Sequence, residues 1–179
     1  MKYIRRLIMY LTSRLFVLVL LTSLCIVSFY YAMNLSNMQI IIKDGMARRA
    51  QVIMGMAEAG DLTSYFQTGF LASDAALLAL QRGESAYQDY NIRGIDHRIE
   101  MGFVWVWPWD DTCRVTVTER IPRIDGRIRG DKAEQAVILY GSEAVYPPAW
   151  QSARYQVTLV RESGQWHIRT MSMQEILAD

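Results

Sequence analysis

The sequence predicts an α+β protein: an N-terminal transmembrane helix, then helices packed against a strongly curved antiparallel sheet. Three observations predict it. Leu15 to Tyr31 (LFVLVLLTSLCIVSFYY) is close to continuously apolar. Beyond it, apolar residues recur every three or four positions, the period of a helix with one buried face. From Ile95 onward the period falls to two, the alternation of a half-buried strand.

The 179 residues leave room for one domain of ordinary size, and a hydrophobic share of 51% against 21% charged residues supplies a core. The net charge is +1, but Lys2, Arg5, Arg6 and Arg14 precede the apolar run, so the rest is about three charges negative. No global basic field invites nucleic acid. Cys25 lies within the apolar run and Cys113 in the segment beyond it, so the two define neither a disulfide framework nor a metal site.

No charged residue stands between Arg14 and Lys43. A helix needs roughly 20 residues to cross a hydrocarbon core of about 30 Å, which Leu15 to Leu35 supplies. The reading divides the chain into a basic cytoplasmic tail over 1–14, a membrane helix over 15–35 and an extracytoplasmic domain over 36–179. Tyr30 and Tyr31 fall at the outer interface, and the basic N-terminus favours a cytoplasmic start. A cleaved signal peptide is the competing reading, although Tyr30 and Tyr31 around Ala32 leave no clean small-x-small cleavage site.

In the domain, Ile42, Met46, Ala50, Ile53 and Ala57 mark a helix from about Gln39 to Glu58, stopped by Gly60. Asp61 is placed to cap a second helix bearing Leu62, Tyr65, Phe66 and Phe70, and Ser73 a third that ends at Gly83. Ile95, His97, Ile99, Met101, Phe103, Trp105 and Trp107 share one phase of a long strand. Pro108 to Asp111 turn it, and Cys113, Val115, Val117, Glu119 and Ile121 continue the same face on a second strand. This phase assigns Trp105, Trp107 and Cys113 to the core. Residues 154–169 make a second hairpin through Glu162, Ser163 and Gly164. Between the hairpins, Asp131 and Glu134 resemble a capping box before Ala136 to Tyr140, favouring a short helix over a strand. The preceding segment RIPRIDGRIRGDK reads as the most basic loop of the domain.

Helices followed by a bent antiparallel sheet that closes on Gly164-x-Trp166-x-Ile168 resemble the nuclear transport factor 2-like superfamily, the cystatin-like or cone-shaped α+β domains. VTLVRESGQWHIRTM is similar to that family's last hairpin, and LTSYFQTGFLASD to its early helix, whose Phe residues plug the cone. The resemblance covers about residues 39–173. It implies helices in the mouth of a curved sheet. The family includes isomerases and dehydratases, but none of their catalytic motifs is matched here. A membrane anchor before such a domain is similar in layout to scaffold subunits of type IV secretion and conjugation machines, and to small membrane proteins of spore-forming bacteria.

One constellation suggests chemistry. A turn near Trp109 makes facing residue numbers sum to about 218, so Ile99 faces Glu119 and His97 becomes its diagonal neighbour. With the Tyr155 hydroxyl, the two form a candidate acid/base pocket, because a carboxylate and an imidazole in a low-dielectric site shift each other's pKa. A bulge or an edge position would instead leave them without such a role. For partner binding the candidates are Trp109, an indole in an exposed turn suited to the outer leaflet or a partner subunit, and Arg123, Arg127 and Arg129 of the basic loop.

The chain has no Walker loop, dinucleotide fingerprint, HExxH, CxxC or Ser-centred elbow, so no metal or other cofactor is expected. The resulting expectation is a single-pass membrane protein whose domain binds envelope proteins as a scaffold or assembly subunit, with homo-oligomers allowed. It leans away from an enzyme, the pocket being the alternative.

Overall fold

The computed structural model describes residues 2–178. Its first element, α1 (Lys2–Ile53), is one helix of 52 residues, about 78 Å long at the usual rise. Two environments succeed each other along it. From Ile8 to Tyr30 every side chain is exposed, most of them large and apolar. From Asn34 on, one stripe is buried: Asn34, Met38, Ile42, Met46, Ala50 and Ile53, at the spacing that keeps one helical face against a core. Among the described residues α1 is the one helix long and apolar enough to cross a membrane. It runs through residues 35 and 36 without interruption.

The helix ends earlier than expected. Gly55, at φ +72°, donates to Val52 O at 3.0 Å while Met56 donates to Gln51 O at 2.8 Å, the paired closing bonds of a left-handed C-terminal cap. Asp61 caps nothing: it sits in a 3-10 turn over Ala59–Ser64 and pairs at 3.6 Å with Arg48. Two short helices follow, α2 (Thr68–Ser73) and α3 (Ala75–Gln81). The cap of α3 is Asp74 rather than Ser73. Its carboxylate accepts from the amides of Ala76 and Leu77, each at 3.0 Å, whereas Ser73 bonds back to carbonyls within α2.

Four antiparallel strands lie in sequence order: β1 (Tyr90–Met101), β2 (Thr112–Ile128), β3 (Ala153–Glu162) and β4 (Gln165–Ile176). The β1–β2 register pairs Ile99 with Glu119 as expected. The β3–β4 hairpin turns through Ser163 (φ 51°) and Gly164 (φ 84°), the two positive φ angles of a twist-compatible tight turn.

Four sequence expectations are corrected here. The sheet is not strongly curved: its central β2–β3 ladder runs unbroken from Thr112↔Val160 to Glu119↔Ala153, and the register shifts fall in the two outer ladders. Second, the basic segment is strand for most of its length. β2 continues through Arg123 and Arg127 to Ile128, with the register shift between Asp96↔Arg123 and Arg98↔Arg120 absorbing Pro122. Third, β1 stops at Met101 rather than Trp107. Fourth, the phase reverses beyond Gly102: Val104 and Val106 are buried, while Trp105 and Trp107 are 58% and 41% exposed.

Residues 130–140 form α4 (Gly130–Tyr140), ended by Gly141, so helix wins over strand there, although without a side-chain cap. The core lies between the sheet face bearing Val115, Val117, Val157, Leu159 and Ile168 and the buried stripe of α1. Close approach requires Gly45, where an added Cβ would lie 3.0 Å from Tyr65 Cβ and 3.3 Å from Ile168 Cδ1.

Candidate functional site

The inward phase of β1 and β2 brings His97 and Glu119 together. His97 Nε2 and Glu119 Oε1 are 2.9 Å apart, with side-chain exposures of 8% and 0%. His97 falls at a register shift, between the pairs Asp96↔Arg123 and Arg98↔Arg120, so the contact spans an irregular point in the ladder. Glu119 Oε2 is buried without a hydrogen-bond partner. The hydrogen bond between His97 Nε2 and Glu119 Oε1 ties the two strands together in a low-dielectric setting.

Tyr155 stands apart from this pair. It is buried on β3 and hydrogen-bonded to neither partner, but its hydroxyl pKa is raised, first by burial and then by the Glu119 charge. Tyr155 lines an open groove of about 930 Å³, whose walls include Phe70, Tyr87 and Trp150. Neither His97 nor Glu119 belongs to that lining. Among the charged residues lining the groove is an ion pair absent from the sequence reading. Arg49 grips Asp74 with two bonds, Nε to Oδ2 at 2.9 Å and Nη2 to Oδ1 at 3.2 Å. Asp74 thus serves both as helix cap and as counter-ion, and only the first role has a sequence signal. Burial raises the Tyr87 hydroxyl to about 12.

Arg123, Arg127 and Arg129 are exposed; the last two border a small polar recess between β1 and the end of β2. Next to them, α4 contributes no buried residue. It exposes Ile138, Leu139 and Tyr140, a surface the sequence reading assigned to no role.

Trp109 is exposed, and it ends a ladder of rings. Tyr31 of α1 lies 5.3 Å from Trp105, Trp105 lies 5.3 Å edge-on to Trp107, and Trp107 stacks on Trp109 at 5.1 Å. Asp110 closes the turn by accepting from the Trp107 amide at 2.9 Å. Burial and the nearby Asp110 charge push the Cys113 thiol up to about 11. Among the described residues no group of three or more His, Cys, Asp or Glu side chains is arranged to hold a metal.

No protein-family model, curated protein or solved structure matches the chain. The cone-type resemblance therefore brings no residue role with it.

Proposed function

We propose that this is a single-pass protein of the cell membrane, N-terminus in the cytoplasm, whose extracytoplasmic domain acts by binding as a scaffold or assembly subunit of a bacterial envelope complex. The observation that carries the reading is α4. This helix of 11 residues has no fully buried side chain and exposes Ile138, Leu139 and Tyr140, and the chain leading into it carries the exposed Arg123, Arg127 and Arg129. Clustered exposed apolar side chains with a charged rim are the ordinary composition of a protein-binding patch. Support for the membrane part comes from the exposed apolar stretch of α1 and the basic residues before it. Anchoring concentrates the domain beside other membrane components, so a modest patch suffices for assembly.

The test is crosslinking in intact cells with a membrane-impermeant reagent, followed by identification of what is attached. Replacing Ile138, Leu139 and Tyr140 together with Ser is expected to remove the attached envelope proteins while the domain stays folded. An unchanged partner set in that variant and in an Arg123, Arg127, Arg129→Glu variant would refute the reading. So would the absence of any partner from the accessible wild-type domain.

A second reading, a small-molecule site, draws on the groove between α3 and β4 with its Arg49–Asp74 pair and aromatic walls. It calls for small-ligand screening by thermal shift, with Trp150→Ala as the control.

A further inference from the structure

The stretch Gly102 to Trp109 (GFVWVWPW) carries no charge and ends in a turn closed by Asp110. Its alternation sorts by environment: Val104 and Val106 are buried, and Phe103, Trp105, Trp107 and Trp109 face outward at 87%, 58%, 41% and 67% exposure. The three outward indoles are held in place by one another and by Tyr31, and the backbone beneath them is tied down. Tyr31 Oη donates to Val104 O at 3.2 Å and Arg161 Nη1 donates to Pro108 O at 3.0 Å. Four large apolar side chains are thus presented by an ordered loop, with little ordering entropy left to lose on contact.

What covers them is indicated by where the loop is attached. Tyr31 is the first residue of α1, after the long exposed stretch, to be partly covered by the rest of the protein, and Asn34 is the first to be buried. Tyr31 also lies at the end of the continuously apolar run, the level of the bilayer interface if that run spans. The Tyr31–Trp105 contact fixes the ladder to that level. Indole rings, apolar with one N–H donor, favour the headgroup boundary over either water or hydrocarbon.

We propose that the Phe103, Trp105, Trp107 and Trp109 face docks into the outer-leaflet interface of the phospholipid bilayer that α1 crosses, giving the domain a second membrane contact. The proposal rests on the reading of α1 as a membrane span. Helix and loop together hold the domain flat against the membrane, because one point of attachment allows swivelling and two do not.

The test uses the full chain reconstituted in phosphatidylcholine vesicles whose acyl chains are brominated either near the headgroup or near the bilayer centre. Headgroup-proximal bromine is expected to reduce tryptophan emission about twofold, central bromine less, and aqueous iodide little, as for indoles in the interface. A Trp105, Trp107, Trp109→Phe variant is expected to lose the bromine effect, leaving emission from buried Trp150 and Trp166. Strong iodide quenching without bromolipid quenching, in a chain that resists alkaline carbonate extraction, would overturn the docking and leave the anchor standing. Shielding from both quenchers would put a second copy of the chain over the loop and overturn it too. Release of the chain by carbonate would overturn the anchor and the docking together.

Discussion

Glu119 faces Ile99 in the β1–β2 ladder, yet its carboxylate meets the imidazole of His97, 2.9 Å away on the diagonal. The carboxylate is fully buried and only one of its oxygens is bonded. Removing one partner therefore strands the other in a place water does not reach, whereas removing both leaves an apolar gap that neighbours can fill.

The first prediction is a double-mutant cycle. His97→Leu and Glu119→Leu are each expected to destabilise the folded chain by about 3 kcal/mol or more, and the double variant by clearly less than their sum. Urea unfolding of the detergent-solubilised chain measures all four corners. Additive losses would mean that the pair is not coupled. A stable double variant that keeps its crosslinked partners would assign the pair to the fold rather than to chemistry.

A second prediction concerns Asn34, the point where α1 meets β3 and β4. Its Oδ1 accepts from Trp166 Nε1 at 2.7 Å and from Arg161 Nη2 at 2.5 Å, while its Nδ2 is buried without a partner. Asn34→Leu removes the acceptor and is expected to cost roughly 1–3 kcal/mol, because the buried Trp166 indole N–H and the half-buried Arg161 guanidinium lose their partner. Asn34→Asp keeps the acceptor, adds charge facing Arg161 and is expected to be tolerated or stabilising. Thermal unfolding followed by circular dichroism ranks the variants. Equal losses in both would show that the side-chain amide nitrogen matters.

A third prediction is a loss of stability in alkali. Burial raises Cys113 from 9.0 to about 11, Tyr87 from 10.0 to about 12, and Tyr155 in the same direction. In the unfolded chain these groups give up their protons first, so the stability they represent is complete below about pH 9 and is lost as pH rises through 9 to 12. Tyrosinate absorbance should therefore appear partly in step with unfolding. Free titration of every tyrosine near 10 in a still-folded chain would contradict it. In the Cys25→Ser variant, Cys113 should resist thiol reagents at pH 8 until the chain is denatured.

Much of this architecture was legible because it repeats with a period. The Ile42, Met46, Ala50 and Ile53 stripe is read from its spacing and lies buried where that spacing places it. The His97–Glu119 contact follows from register arithmetic, since pairs from Arg98↔Arg120 to Met101↔Val117 keep one constant sum. Illegible features are those where both phases look alike. Phe103 to Trp107 is apolar at every position, so nothing in it signals that the buried side changes at Gly102. Pro122 interrupts the alternation of β2, and a proline inside a strand argues against strand unless a bulge accommodates it. The apolar residues of α4 carry the pattern of core residues, and exposure is a property of the tertiary structure that local sequence does not encode.

The unbroken course of α1 has a mechanical consequence. A domain on a flexible tether can turn freely and can be shed intact by a protease that cuts the tether. Here no tether exists, for the helix that carries the long apolar surface also supplies Met38, Ile42 and Met46 to the core. Rotation of the apolar stretch about its axis is transmitted to the sheet as torque. A single residue inserted after Tyr31 would swing one end about 100° relative to the other, pulling Tyr31 away from the aromatic ladder while the core stripe stayed in place.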